Sequence, residues 1–250
     1  MRKGFFVTGT DVGVGKTVVA AGIAGALASM EFNVGIMKPV ATDGFEDENG
    51  KLLSRDAEYL RRVSGVKDDL SIVNPYLYET RVAPSVAAYV EKREEVDLKL
   101  VENRYFELTL MHEIIVIDGE GGLMAPMNRE ETTLDLVLQL GAELIVVARP
   151  GHGTISHTLL TVNHARAMGV HVAGVVINAW GRDGVGLIEK TNPEEIRRMC
   201  PVPLLGILPW MDGCNVETGS HQGLVETVLT KLDLEPLIRD DSPDWTFDLL

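Results

Sequence analysis

One stretch near the start of the chain decides the fold: Gly9-Thr10-Asp11-Val12-Gly13-Val14-Gly15-Lys16-Thr17. It follows a short apolar run at residues 5–7 and precedes an Ala-rich helical pattern at residues 18–30. A strand, a glycine-rich turn and a helix in this order predict a phosphate-binding loop. The glycines let backbone N–H groups point at phosphate oxygens, Lys16 supplies a cation, and Thr17 offers a hydroxyl to Mg²⁺.

The loop is a variant, and its acidic residue narrows the class of protein. Thr10 stands where the usual spelling has glycine, which here comes one residue earlier. Partitioning and septum-positioning ATPases carry a similar loop with a lysine in the place of Asp11. The acid therefore disfavours a membrane- or DNA-associated switch ATPase. The charge of the chain agrees, since 23 Lys+Arg against 37 Asp+Glu give −14, which disfavours binding to nucleic acid or anionic membrane.

The remaining apolar runs predict the fold class. They lie at residues 34–37, 114–117, 144–148, 172–177 and 204–208, alternate with helical patterns, and are typical of strands buried on both faces. We expect an α/β, single-domain P-loop NTPase fold with a mostly parallel sheet flanked by helices on both faces. The domain is expected at residues 1–238, followed by an acidic C-terminal tail at residues 239–250.

Two smaller predictions come from composition. Residues 42–51 are acidic and glycine-containing, which predicts a loop. The first apolar patch is too short for a signal peptide, and the longest apolar stretch is too short for a membrane span, so a cytoplasmic protein is expected. The two cysteines are too few for a disulfide framework and agree with a reducing compartment.

Candidate functional residues should follow the apolar runs, because ligands of parallel sheets gather at the carboxyl ends of the strands. Lys38 follows the second run. Asp118 ends the run at residues 114–117, as a metal-directed carboxylate opposite a phosphate loop does. Asp56 lies in the first turn of a helix capped by Ser54. Each residue also has a purely structural interpretation. Lys38 could be a solvated strand end, Asp118 a turn-forming aspartate, and Asp56 a carboxylate that complements the helix dipole.

Two later segments can likewise be interpreted either as ligand-binding or as purely structural. Residues 151–157 open a helix and predict either a second anion site or plain capping. Asn178 and the run Pro209-Trp210-Met211 lie at strand ends, where they could hold a nucleobase or only form turns.

Together these residues resemble the dethiobiotin synthetase family over residues 4–235. The shared motifs follow in the family's order: residues 7–17, Lys38-Pro39-Val40 with Thr42, Ser54-Arg55-Asp56, Val73-Asn74-Pro75-Tyr76, residues 153–157 and Pro209-Trp210. The resemblance implies an ATP-dependent cyclo-ligase of biotin biosynthesis that uses Mg²⁺. It would join 7,8-diaminopelargonate and carbon dioxide, or bicarbonate, into dethiobiotin, with ADP and phosphate as co-products. It also implies a homodimer with the active site at the interface, and no nucleic-acid or membrane partner.

The resemblance also assigns roles. Lys16 would stabilise the transferring phosphoryl group, and Lys38 the carbamate and its mixed anhydride. The metal would be held by Thr17, Asp56 and Asp118. ATP would contact Gly13, Val14, Gly15, Lys16, Thr17, Val18, Asp56, Asp118, Asn178, Pro209, Trp210 and Met211. The substrate would contact Thr10, Val12, Lys38 and Thr42, and, across the dimer interface, Gly153, Thr154 and Ser156.

Three departures from the family pattern concern the site itself. Val12 replaces a threonine, Ser156 replaces an asparagine, and Asp118-Gly-Glu120 replaces Glu-Gly-Ala. The expected consequence is an active enzyme with altered metal or substrate affinity. Two other hypotheses remain open at this point: an amidoligase supplied by a separate glutaminase chain, and a nucleotide-responsive regulatory module that has lost catalysis.

Overall fold

The computed structural model describes residues 3–239, so the predicted acidic tail lies, from residue 240 onward, outside the described residues. In chain order, the first half contains β1 (Lys3–Gly9), α1 (Lys16–Ser29), β2 (Val34–Met37), β3 (Val40–Ala41), β4 (Phe45–Glu46), β5 (Leu52–Leu53), α2 (Arg55–Ser64), α3 (Leu70–Val73), β6 (Tyr76–Leu77), α4 (Pro84–Glu91) and α5 (Leu98–Met111). The second half contains β7 (Ile114–Gly122), α6 (Thr133–Leu140), β8 (Glu143–Ala148), α7 (Thr154–Ala167), β9 (Val172–Trp180), α8 (Leu187–Met199), β10 (Leu204–Pro209), β11 (Cys214–Asn215), β12 (Ser220–His221), α9 (Leu224–Lys231) and α10 (Glu235–Ile238).

Six strands form one sheet in the order β10-β9-β8-β1-β7-β2, and every neighbouring pair is parallel. The chain leaves β1 towards β2 on one side and later returns to β8 on the other, so β1 lies between β7 and β8. A crevice opens at such a reversal of strand order, beyond the carboxyl ends of the strands. The loop at residues 10–15 leaves β1 at this point.

The sheet is covered by helices on both faces, as the sequence predicts. Side chains alternate across a strand, and the central strand β1 shows this directly: Phe5 and Val7 pack with residues of α1, α2 and α9 on one face. Phe6 packs with residues of α5, α6 and α7 on the other face. All three side chains are fully buried. The predicted α/β fold with a single domain and a mostly parallel sheet is therefore confirmed.

Three local expectations were wrong or incomplete. The predicted loop at residues 42–51 contains β4, which pairs antiparallel with β5 in a small hairpin, because Phe45 pairs with Leu53 in an otherwise acidic segment. β10 is not buried on both faces: it is an edge strand, and Ile207 is partly exposed. β7 continues past Asp118 to Gly122, so that aspartate lies within the strand. No helix among residues 3–239 combines the length and apolar character that crossing a bilayer requires.

Candidate active site

The loop between β1 and α1 has the backbone of a phosphate cradle. Gly13 and Gly15 have φ values of 73° and 86°, which side-chain-bearing residues rarely adopt. Gly15 caps α1 in this left-handed conformation, so the free N–H groups of the first helical turn face the crevice. A Cβ at Gly15 would lie 2.1 Å from Nδ2 of Asn178. Glycine at this position is therefore required by the backbone and by a side-chain contact from β9.

Lys16 is the first residue of α1 and is 9% exposed, although it carries a charge. Burial lowers the pKa of its amine, with Asp118 opposing this effect and Lys38 adding to it. A cation placed beside exposed loop N–H groups and a helix N-terminus is the arrangement that binds phosphate oxygens. The sequence-based placement of Lys16 at this end of the sheet agrees with the structure.

The Lys38 ammonium is in contact with three carboxylates of the site. Its side chain is 1% exposed, and its Nζ lies 2.7 Å from Asp56, 3.1 Å from Asp118 and 3.1 Å from Glu120. It also donates to the Gly119 carbonyl at 3.2 Å. Burial alone would lower the pKa of the lysine amine, but the three carboxylates together raise it well above its ordinary value. Lys38 is thus a permanently charged group held at the carboxyl edge of the sheet.

Thr17 and Asp118 join the first turn of α1 to β7. The Thr17 hydroxyl donates to Oδ2 of Asp118 at 2.8 Å. Burial raises the pKa of Asp118 to about 6, although the Lys38 cation opposes this effect. For Asp56 the balance is reversed: burial acts to raise its pKa, but the Lys38 ammonium and hydrogen bonds from Lys38 and Thr17 lower it. The Lys38 ammonium therefore contacts two carboxylates whose pKa values are shifted in opposite directions.

This set of oxygens fits a magnesium ion. Oδ1 of Asp118 is buried and, among residues 3–239, has no hydrogen-bond partner, which marks an open ligand position. Thr17, Asp56 and Asp118 offer a hydroxyl and two carboxylates, the oxygen donors that Mg²⁺ prefers, and the ion keeps water and phosphate oxygens as its other ligands. Within the described residues, no group of three or more His, Cys, Asp or Glu side chains forms a complete protein cage for a metal. A cation bound through few protein groups and a nucleotide agrees with both observations.

Glu120 contacts the site more directly than the sequence reasoning assumed. One carboxylate oxygen lies 3.1 Å from Nζ of Lys38, and the other accepts a hydrogen bond from the Thr42 hydroxyl at 3.2 Å. Residues two apart on a strand point to the same face, so Asp118 and Glu120 of β7 both reach Lys38. That period-2 spacing was the available signal, whereas from the sequence Glu120 was noted only as a departure from the family pattern.

A cavity of about 1080 Å³ opens above these groups. Of the residues predicted from sequence, its walls include Thr10, Val12, Gly13, Gly15, Lys16, Thr17, Val18, Lys38, Thr42 and Asp56. The lining also contains a mainly apolar set of residues, called the apolar wall below: Val82, Ala83, Pro84, Leu123, Met124 and Leu160. Arg55, Arg81 and His164 add cationic or titratable groups to the walls that the sequence reasoning did not single out. A phosphate cradle and an apolar slot therefore share one space.

The predicted carboxylate-binding helix start lies outside the cavity walls. Gly153, Thr154 and Ser156 are absent from the lining, whereas Leu160, Thr161 and His164, farther along α7, belong to it. Gly153 caps α7 with a φ of 80°. The Thr154 side chain is 1% exposed, and its hydroxyl has no hydrogen-bond partner among the described residues. The structure thus places this helix start near the cavity but does not bring it to the phosphate loop of the same chain.

The predicted adenine residues also lie outside the cavity walls, at the ends of β9 and β10. Asn178 donates to the Val14 carbonyl at 2.9 Å and so holds the phosphate loop. The backbone N–H of Trp210 donates to the Trp180 carbonyl at 2.8 Å, which joins the two strand ends. The Arg182 guanidinium lies 4.5 Å above the Trp210 ring, and Met211 packs against the core. These contacts give Asn178 a structural task that sequence alone did not reveal.

Known proteins with similar sequences identify the family to which this site belongs. A family model described as an AAA domain matches residues 3–218. Among curated proteins, the ATP-dependent dethiobiotin synthetase BioD of Thermodesulfovibrio yellowstonii is 35% identical over 245 residues, covering 95% of this chain and 99% of the relative. The protein of the same name from Bacillus licheniformis is 38% identical over 213 residues, covering 84% of this chain and 87% of the relative.

Solved structures give the fold. The septum site-determining protein MinD of Pyrococcus horikoshii, complexed with Mg-ADP, has a TM-score of 0.57 at 19% identity, covering 91% of this chain and 86% of the other. A ParA family ATPase from Chlorobium tepidum has a TM-score of 0.57 at 15% identity, and the match covers 92% of this chain and 98% of the other. At these identities the likeness concerns the fold alone, and Asp11 in the loop still separates this chain from the ATPases that carry a lysine there.

Proposed function

The chain belongs to the ATP-dependent dethiobiotin synthetase family, and from this membership we propose how its own residues carry out the reaction. The protein is an ATP-dependent ligase of biotin biosynthesis that forms carbon–nitrogen bonds and uses Mg²⁺. The first of the three sequence-based hypotheses is thereby confirmed. We propose that its substrates are 7,8-diaminopelargonate and carbon dioxide, and that both react in the cavity above Lys38.

The reaction has three steps with balanced atoms. One amine nitrogen attacks carbon dioxide, forms a carbon–nitrogen bond and loses a proton, which gives a carbamate. A carbamate oxygen then attacks the γ-phosphorus of ATP, and the bond from that phosphorus to the bridging oxygen breaks, which releases ADP. The second amine attacks the carbamoyl carbon and expels phosphate, and loss of its proton completes the ureido ring. Anionic charge develops on oxygen in each step, so cations and N–H donors are the groups the protein must supply.

Lys16 and the loop N–H groups are the donors for the transferring phosphoryl group. In our proposal, ATP places its phosphates along residues 13–18, where the glycines expose backbone N–H groups. The nucleoside would extend towards Asn178 and the strand end Pro209-Trp210-Met211. Mg²⁺, held by Thr17, Asp56 and Asp118, supplies charge neutralisation at the phosphate oxygens when it is bound.

Lys38 is the donor for the carbamate. Its Nζ lies within 3.1 Å of Asp56 and Asp118, so it sits beside the proposed metal ligands and therefore beside the phosphoryl group. The ammonium has four acceptors for three protons, so a substrate oxygen would take one N–H from the groups that now surround it. A second buried cation at this point, facing a cavity with an apolar wall, is the single observation that carries the proposed ring closure.

The apolar wall is the proposed place of the aliphatic chain of the substrate. Val82, Pro84 and Leu123 belong to it. Thr10, Val12 and Thr42 also line the cavity and are the proposed substrate contacts. Burying methylene groups against such a wall stabilises a bound chain by about 0.8 kcal/mol per CH₂. The site would hold the aliphatic chain away from water while the charged reacting groups meet.

We also propose a homodimer in which the start of α7 completes the partner's site. Gly153, Thr154 and Ser156 are not walls of the chain's own cavity, although their helix borders it. Two exposed apolar side chains, Met124 and Leu160, line the cavity, and α4, whose first residue Pro84 also lines it, carries the exposed Val86, Tyr89 and Val90. A second copy that covers this face would bring its α7 N–H groups to the substrate carboxylate, since a helix N-terminus favours an anion.

The purified protein tests the proposed reaction directly. It would be incubated with 7,8-diaminopelargonate, carbon-13-labelled bicarbonate and MgATP, and the products identified by mass spectrometry. We expect dethiobiotin with one labelled carbon and one phosphate per ring formed. ATP hydrolysis that is independent of the diamine, without labelled dethiobiotin, would overturn the proposal.

A further inference from the structure

Glu120 is the one carboxylate on Lys38 that the proposed reaction leaves without a task. Its Oε2 lies 3.1 Å from the lysine Nζ, and its Oε1 accepts from the Thr42 hydroxyl at 3.2 Å. Its side chain is 21% exposed and forms part of the cavity wall. Glu120 therefore faces the space in which the substrate is proposed to bind, between a cation and a proposed substrate contact.

A charge balance separates Glu120 from the two aspartates. With Asp56 and Asp118 committed to a divalent cation, their two negative charges are neutralised. The remaining charges are the two cations Lys38 and Lys16 and the anion Glu120, which contacts Lys38. Without Glu120, the wall next to Thr42 would present an uncompensated ammonium group.

The diamine needs an anionic or neutral acceptor at this wall. Each of its nitrogens carries N–H donors, and a protonated amine is repelled by Lys16 and Lys38, which are both cations. Two other acids of the cavity wall have cationic partners elsewhere, since Asp11 contacts Arg149 and Asp43 lies 3.6 Å from Arg81. Glu217 also lines the cavity, but unlike Glu120 it does not contact Lys38. A carboxylate has about four lone-pair positions, and Lys38 and Thr42 occupy two of those on Glu120. Positions remain for a further donor from the cavity.

The two nitrogens are not equivalent once the carbamate has formed. The carbamate carries negative charge, so it is drawn to Lys38 and repelled by a carboxylate. The nitrogen that closes the ring still has its N–H donors and suits an acceptor beside the lysine. Lys38 therefore suits the carbamate end of the reacting group, and Glu120 beside it suits the amine end.

On the premise of the proposed function, we propose that Glu120 is a specificity-determining residue that accepts a hydrogen bond from the ring-closing amine of the substrate. It selects a diamine over a compound with one amine. The alanine of the family pattern has no such acceptor, so the contact is a property of this chain's own sequence.

Isothermal titration calorimetry without ATP, in a buffer that contains MgCl₂ and bicarbonate so that the carbamate can form, tests this contact. The ligands are 7,8-diaminopelargonate and two pelargonates that carry a single amine, at carbon 7 or carbon 8. The proteins are the wild type, Glu120→Gln, which keeps the shape but removes the charge, and Glu46→Gln on the exposed edge of the β4–β5 hairpin as a matched control. Should the Gln variant fail to fold, Glu120→Ala gives the same comparison.

We expect Glu120→Gln to weaken diamine binding by about tenfold, because the neutral amide oxygen is a weaker acceptor than the carboxylate and the amide NH₂ group cannot accept at all. Binding of the monoamine that lacks the ring-closing nitrogen should change by less than about twofold, and Glu46→Gln should bind like the wild type. Equal losses for the diamine and both monoamines, or unchanged diamine affinity, would overturn the inference. If the wild type forms dethiobiotin in that case, only the role of Glu120 fails. A wild type that neither binds the diamine nor forms product refutes the proposed function itself.

Discussion

The Thr17 hydroxyl donates a 2.8 Å hydrogen bond to Oδ2 of Asp118, so the start of α1 is fastened to the strand beside β1. Both residues are proposed metal ligands, and the hydrogen bond keeps them together before a metal binds. The Asp118 oxygen Oδ1 has no partner among the described residues. The site is thus preorganised with one ligand position open.

Thr17→Val should reduce activity by weakening metal binding. The substitution removes a hydroxyl ligand and the donor to Asp118, and changes at metal ligands or their supports typically cost about 10–100-fold in affinity or activity. Thr17→Ser, which keeps the hydroxyl, should remain within a few-fold of the wild type. The measurement is the Mg²⁺ concentration that gives half-maximal turnover, and a Val variant with the wild-type value would refute the assignment.

Lys38→Met should destabilise the protein as well as abolish turnover. Removing the ammonium leaves Asp56, Asp118 and Glu120 close together without the cation that contacts all three, and breaking a buried ion pair from one side costs about 3–5 kcal/mol. Urea unfolding without metal measures this cost. Added Mg²⁺ should return part of the stability, because it replaces the missing positive charge. A variant as stable as the wild type in the absence of Mg²⁺ would contradict the described charge balance.

Gly15→Ala and Gly13→Ala form a matched pair in the phosphate loop. Both glycines have a positive φ, so both substitutions incur a backbone cost of about 1–2 kcal/mol. Only at Gly15 would the new Cβ also meet Asn178, at 2.1 Å, whereas nothing lies within 4 Å of it at Gly13. Gly15→Ala should therefore lose more stability and more ATP affinity. Asn178→Ala has a cost of its own, because it removes the hydrogen bond to the Val14 carbonyl. In the Asn178→Ala background the two glycine substitutions should therefore cost the same, and equal losses in the wild-type background would rule out the contact.

Mixed dimers test whether α7 acts across an interface. Lys38→Ala inactivates one proposed site, and Ser156→Asp places a negative charge where the substrate carboxylate is proposed to bind. If α7 serves the partner's cavity, each variant alone is inactive, but mixing the two restores activity in sites that combine an intact Lys38 with an intact α7. The product assay on the mixture should then show a clear gain over both parents. Absence of any gain, with mixed dimers demonstrated by mass spectrometry, would place the role of α7 within one chain.

Much of this site could be anticipated from sequence because Lys38, Asp118 and the phosphate loop follow apolar runs and Asp56 follows a recognisable helix cap. The strand at Val34–Met37 and the helix start after Ser54 lie where the pattern predicts them, and the Ser54 hydroxyl accepts from the Ala57 N–H as a cap. Lys38 and Asp118 meet because parallel strands end at one edge.

The remaining features depend on contacts between distant residues. Asn178 holds the phosphate loop through the Val14 carbonyl, and no local pattern signals a bond over such a separation. The hairpin of β4 and β5 has two-residue strands, which leave no measurable alternation in sequence. Glu120 is the exception, because its spacing from Asp118 on one strand could have predicted a shared face.

The mixed-anhydride step is the centre of the proposed mechanism, and the path of oxygen tests it most directly. The enzyme would be mixed with the diamine, MgATP and freshly dissolved carbon dioxide labelled with oxygen-18, and quenched after a single turnover, before the label exchanges with water. Attack by the carbamate on the γ-phosphorus predicts that one labelled oxygen appears in phosphate for each labelled dethiobiotin formed. Labelled dethiobiotin accompanied by unlabelled phosphate would contradict the proposed roles of Lys16 and Lys38.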